Sequence, residues 1–193
     1  MLHDNIFPTW LWNACLKENS QVNKDLEKFT YELQKKDPDT ELRSVVRGWQ
    51  SKQNFHELEE AKPWVKATEQ LFISVVGEIK PEEGYCLSVD TSWLNLNPQY
   101  AENKMHIHPG ADLSGVYYVK KPKDSGALVL YDPRVQIFPV RTPKNEMRKD
   151  RITIDAKEGD LIIFPGWLQH SVDTNMSKED RISISFNLCW RKI

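Results

Sequence analysis

Glu158-Gly159-Asp160-Leu161-Ile162-Ile163-Phe164-Pro165-Gly166-Trp167-Leu168-Gln169-His170 is the stretch that decides the fold. A Gly-Asp turn opens an apolar run too short for an ordinary helix, a Pro-Gly turn reverses it, and His170 enters the run that follows. This is strand, turn, strand, with a metal-capable side chain at the start of the second strand. Upstream, Tyr85 to Asn97 alternates with a period of two, placing Leu87, Val89, Thr91, Trp93 and Asn95 on one face. Further strand candidates are Ser114–Lys120, Ala127–Asp132, Val135–Val140, Arg151–Asp155, Asp160–Phe164, Leu168–Val172 and Arg181–Trp190. Turn signals separate them at Lys121-Pro122-Lys123-Asp124, Asp132-Pro133 and Thr142-Pro143. Short strands without intervening helices predict a sandwich or jelly roll.

Before Gly84 the period is helical. Val22, Leu26, Phe29 and Leu33 share one helix face, Asn19 or Ser20 is placed to cap its start, and Asp37-Pro38 closes it. Pro63 suits a first helical turn, and Trp64, Leu71, Phe72, Val75 and Val76 form the stripe that follows. The expected architecture is mainly β with N-terminal helices: one domain over 1–193, with a helical layer over 1–80 and a double-stranded β-helix of the jelly-roll, cupin-like kind over 81–193.

The 193 residues and 22.6 kDa suit one core. A net charge of −2 and a pI near 6.2 disfavour a globally basic nucleic-acid binder. No apolar run is long enough to span a bilayer, and MLHDNIFPTW lacks a secretory pattern. Cys15, Cys86 and Cys189 are odd in number, far apart and without metal or redox spacing. A reduced, cytoplasmic protein is the expectation. Between Lys120 and Lys157, ten Lys or Arg face five Asp or Glu, a run that reads first as a solvated loop.

Five histidines occur, and three lie in the β half: His106, His108 and His170. In an extended segment, positions i and i+2 point the same way, so His106 and His108 converge, and closure of a β-barrel brings His170 to them. Imidazole nitrogens suit iron, zinc, copper or nickel. Arg181 and Ser183 are again i and i+2, on the strand after His170. A guanidinium fork beside a hydroxyl is a receptor for a carboxylate.

These residues resemble the Fe(II)- and 2-oxoglutarate-dependent oxygenases, and most closely a branch found in bacteria and their phages. The match is carried by Gly48-Trp49-Gln50-Ser51, Trp93 with Asn95, His106-Ile107-His108-Pro109, Ser114-Gly115-Val116-Tyr117-Tyr118-Val119, Gly126 through Asp132-Pro133-Arg134, Phe164 through His170, and Arg181-Ile182-Ser183-Ile184-Ser185-Phe186-Asn187. The resemblance implies Fe(II), 2-oxoglutarate as cosubstrate and O2, with oxidative decarboxylation coupled to C–H oxidation of a primary substrate that no motif identifies. It also implies that Arg181 and Ser183 hold the far carboxylate of 2-oxoglutarate. One departure stands out: the superfamily's usual carboxylate position is His108, which leaves either His106, His108 and His170 as ligands or Asp112 as the third.

Tyr117 and Tyr118 are adjacent on a strand, so one of them faces the pocket. Tyr117 is taken as the residue reaching the cosubstrate, with Tyr118 the alternative, and Asn95 and Arg134 as pocket-wall candidates. Two other readings use the same residues: a cupin enzyme without 2-oxoglutarate, and a non-catalytic metal-binding β module. Arg181-x-Ser183 discriminates, since a cupin has no need of it. The N-terminal helices offer a face for a homodimer.

Overall fold

The helical segments end where their sequence requires. A computed structural model describes residues 7–16, 20–39, 44–134 and 150–193. Helix α1 (Ser20–Lys36) stops just before Pro38, whose ring disfavours helical geometry at Asp37, and Lys35 and Lys36 sit at the negative end of its dipole. Helix α2 (Lys62–Ile79) carries Pro63 in its first turn and closes on a left-handed Lys80 whose N–H donates to the Val76 carbonyl. Neither is long and apolar enough to cross a membrane.

The strands are β1 (Trp12–Cys15), β2 (Val45–Val46), β3 (Trp49–Gln50), β4 (Tyr85–Asn97), β5 (Glu102–His106), β6 (Leu113–Lys120), β7 (Leu128–Tyr131), β8 (Arg151–Ile154), β9 (Asp160–Pro165), β10 (His170–Val172) and β11 (Arg181–Lys192). They form two antiparallel sheets, a six-stranded one ordered β1-β9-β6-β11-β4-β3 and a five-stranded one ordered β2-β5-β10-β7-β8. From β4 onward the chain crosses repeatedly between the sheets, which is the winding of a jelly roll. The expected strand over Val135–Val140 and the cap at Asn19 lie outside the described residues.

The first eighty residues are more than a helical layer. β1 extends the large sheet beside β9, pairing Trp12 with Ile163, and β3 pairs Trp49 with Leu96 on the other edge. Strands of two to four residues carry too few alternations to be read from a pattern.

The outward face of the large sheet is covered by the helices. Leu94, Leu96, Tyr117, Ile163, Ile182, Ile184 and Phe186 meet Leu26, Phe55, Trp64, Phe72 and Val75 in one apolar cluster. Rings run through it in sequence, Phe55 to Trp64 at 6.0 Å, Trp64 to Phe186 at 5.7 Å and Phe186 to Phe72 at 5.5 Å between centroids. Each such side chain contributes about 1.5–3 kcal/mol by leaving water. A second, smaller cluster of Tyr118, Leu128, Leu130, Ile162, Phe164 and Leu168 fills part of the space between the sheets. The remainder of that space is a cavity lined by polar and apolar side chains together.

Candidate active site

Strand register brings the histidines together. β5 ends on His106, β10 begins on His170, and the two are direct cross-strand partners. His108 lies two residues past β5, where its N–H donates to the Gly166 carbonyl at 2.9 Å. Gly166 must be glycine for this approach, because a Cβ there would stand 2.3 Å from the Ala111 carbonyl oxygen. One ring nitrogen from each of the three histidines lies within 4.8 Å of the others, close enough for small side-chain rotations to gather them around one ion. Trp93 packs against His108 at 5.6 Å, and Phe164 against His170 at 4.8 Å.

Each imidazole presents its Nδ1 to an oxygen. His106 Nδ1 meets the Lys104 carbonyl at 2.6 Å, His170 Nδ1 the Leu168 carbonyl at 2.9 Å, and His108 Nδ1 the Asn187 Oδ1 at 2.6 Å. A carbonyl only accepts, so the proton sits on Nδ1 and Nε2 keeps its lone pair. Burial, with the neighbouring His106 second, holds His170 down to about 3, and burial lowers His106 as well. His106 and His170 are thereby held neutral at ordinary pH, the protonation state that metal ligation needs.

Farther along the same cavity stands a buried cation. Arg181 is 2% exposed. Its Nη1 donates to the Ser125 carbonyl at 2.6 Å and, more weakly, toward the Asp173 carbonyl at 3.4 Å. Among the described residues no carboxylate forms an ion pair with it. Burial pulls its pKa below the usual guanidinium value, as expected for a charge taken out of water without a counter-charge. The Tyr118 hydroxyl, 1% exposed, has no hydrogen-bond partner among the described residues. Burial pushes Tyr118 up to about 12 against the opposing pull of Arg181, so it remains a neutral donor. Ser183, Asn95, Ser185, Asn103 and Ser44 line the same cavity, and Asn95 Nδ2 donates to Ser185 Oγ at 2.9 Å. Gly126, at φ +89°, leaves the room that Arg181 occupies: a Cβ would come within 2.7 Å of Nη1 and 2.1 Å of the Asp173 oxygen.

The donor sets fit the implied groups. Three clustered imidazoles suit a divalent transition ion. A buried guanidinium beside an unsatisfied hydroxyl suits a carboxylate.

Several sequence expectations need correcting. Tyr117 does not face the cavity; it lies on the helix side of β6, and its hydroxyl donates to Asn23 Oδ1 of α1 at 2.6 Å. Tyr118, the next residue, takes the cavity face. Asp112 is not among the clustered histidines, since its Oδ2 accepts the Trp190 N–H at 2.9 Å. Arg134 is exposed and bidentate to Asp132, at 2.9 and 2.5 Å, away from the cavity. Asn187 and Ser114 carried no assigned role in the sequence, although they stood in matched motifs. The signal was their place on strands flanking the histidines.

Residues 91–187 match a family model described as "Putative 2OG-Fe(II) oxygenase". No curated protein matches the sequence. Among solved structures, a prolyl-4-hydroxylase from Pseudomonas putida is similar at 13% identity and a TM-score of 0.64, covering 92% of this chain and 91% of that one. A prolyl hydroxylase from Trichoplax adhaerens, in complex with a hypoxia inducible factor peptide fragment, is similar at 13% identity and TM-score 0.63, covering 92% and 82%. HygX from Streptomyces hygroscopicus, with nickel and 2-oxoglutarate bound, is similar at 11% identity and TM-score 0.56, covering 93% and 82%. At such identities the structures attest the jelly-roll fold. The family match spans half of the chain and includes the three histidines, Tyr118 and Arg181: the chain belongs to the 2OG-Fe(II) oxygenase family, enzymes that use Fe(II), 2-oxoglutarate and O2.

Proposed function

We propose that the enzyme is a hydroxylase in which His106, His108 and His170 hold Fe(II), and Arg181, Ser183 and Tyr118 hold the far carboxylate of 2-oxoglutarate. The observation that carries this reading is the buried, carboxylate-free Arg181 beside the partnerless Tyr118 hydroxyl, in one cavity with the three imidazoles. Iron with its cosubstrate supplies the oxidation that couples decarboxylation to hydroxylation of a substrate C–H bond. The protein's own residues bind and orient. Arg181 and Tyr118 donate to a carboxylate and fix the cosubstrate's length axis, Asn95 and Ser185 line its path, and Phe164, Leu128 and Val116 keep that wall dry. Three neutral imidazoles leave the ion one charge more positive than two histidines and a carboxylate would, and the cosubstrate's own carboxylate offsets this. Three cysteines, odd in number and far apart in the sequence, fit a reducing, cytoplasmic setting.

The test is anaerobic. Metal-free protein is loaded with Fe(II), then 2-oxoglutarate is added while the visible charge-transfer band is followed. The expected result is a band with the native protein, none with His170→Ala, and a band needing far more cosubstrate with Arg181→Ala. Stoichiometric iron without a band in the native protein overturns the assignment in favour of a cupin-like site.

A further inference from the structure

We infer that Asn187 is a positioning residue that selects which nitrogen of His108 faces the metal, and that its neutral side chain is where this chain tunes a three-imidazole centre. The inference rests on the ligand set proposed above.

His106 and His170 are oriented by backbone carbonyls of residues two positions earlier, Lys104 and Leu168. Those acceptors come with the strand geometry and are independent of side-chain identity. The contacts at His108 Nδ1 come instead from side chains, Asn187 Oδ1 at 2.6 Å and Ser114 Oγ at 2.9 Å. A side-chain amide can present either its oxygen or its NH2 to a ring nitrogen; here the oxygen faces His108.

Two hydroxyls, each able to donate or accept, brace the amide with its oxygen toward His108. Asn187 Nδ2 donates to Thr91 Oγ1 at 2.9 Å, and Ser114 Oγ donates to Asn187 Oδ1 at 2.9 Å. The amide oxygen then accepts from both Ser114 and His108, which uses its two lone pairs. With the amide reversed, the NH2 would face Nδ1, the ring proton would move to Nε2, and the nitrogen offered to a metal would be closed. The sheet register builds this arrangement: Asn187 is the cross-strand partner of Thr91 on β4 and of Ser114 on β6. A register shift follows immediately, between Asn187 and Leu188, so the alignment is set at this residue.

An aspartate has nearly the shape of asparagine. At position 187 it would put a carboxylate behind His108, the arrangement that raises ligand basicity at metal sites. The chain carries the uncharged version behind His108.

The experiment compares native protein with Asn187→Leu, which keeps shape and loses the acceptor, and with Asn187→Asp. Long-range 1H–15N correlation spectra of 15N-histidine protein, metal-free and at fixed pH, read the His108 tautomer. Zinc(II) titration calorimetry reads affinity without turnover. Native protein and Asn187→Asp should hold the proton on Nδ1, while Asn187→Leu gives a mixture. Zinc affinity should fall about 10- to 100-fold in Asn187→Leu and rise about tenfold in Asn187→Asp. An unchanged tautomer and affinity in a folded Asn187→Leu overturns the inference. If that variant does not fold, Asn187→Asp decides alone, and unchanged or weaker zinc binding overturns it. A His170→Ala control that binds zinc as tightly as native protein rejects the ligand set itself, a separate failure.

Discussion

On β11, Ile182, Ile184, Phe186 and Leu188 face the helices, while Arg181, Ser183, Ser185 and Asn187 face the opposite sheet. Ile182 and Ile184 are fully buried, yet Arg181 at 2% exposure is almost equally so. One strand thus has an oily side and a polar side, and neither meets bulk water along its first residues. The difference teaches what each face does. The helix side supplies the favourable transfer of apolar surface. The cavity side gives up some of that stability by burying polar groups, Arg181 and the Tyr118 hydroxyl among them, as active sites commonly do.

That contrast can be broken from either side. Phe186→Ala, which empties the junction of the Trp64 and Phe72 rings, should cost about 3–5 kcal/mol of stability in urea unfolding. Iron stoichiometry of the folded fraction should be kept. Arg181→Met should do the reverse. Cosubstrate affinity, measured by titrating the charge-transfer band, should fall by about 2–5 kcal/mol. The melting temperature of the metal-free protein should hold or rise, because an unpaired buried charge has been replaced by an apolar chain of similar length. The smallest effect sharpens the comparison. Tyr118→Phe removes a hydroxyl that no described residue satisfies, so stability should be unchanged or slightly higher while 2-oxoglutarate binding weakens by about 1 kcal/mol.

Much of this was legible in the sequence, for reasons that differ by element. Arg181-Ile182-Ser183-Ile184-Ser185-Phe186-Asn187 alternates so strictly that its two faces could be assigned at once, and the span Tyr85–Asn97 is reproduced as β4. The histidine set follows from i, i+2 geometry plus barrel closure. The choice between Tyr117 and Tyr118 was not legible, because both faces of β6 are buried and the two side chains are chemically alike. Only the pairing with β11, including the register shift between Ile182 and Ser183, places Tyr118 inward. β5 escaped notice because Glu102-Asn103-Lys104-Met105-His106 has a single apolar residue, Met105, and so carries no apolar alternation. Gly48-Trp49-Gln50-Ser51 was legible as a motif but not as a part. It clamps β4, with Ser51 Oγ accepting the Leu94 N–H at 2.9 Å.

The pairing of His106 with His170 has a consequence for folding. β10 is three residues long, and a one-residue slip against β5 would turn His170 to the outside. An ion held by both strands therefore binds only the correctly threaded chain, and by mass action it draws the population there, by about 2.7 kcal/mol when free metal is a hundredfold above its dissociation constant. Iron would then act as proofreader of the barrel as well as reagent. With little iron more of the chain would linger with β10 unpaired from β5, open to proteolysis, so that its resistance to proteases would follow the supply of the metal it binds.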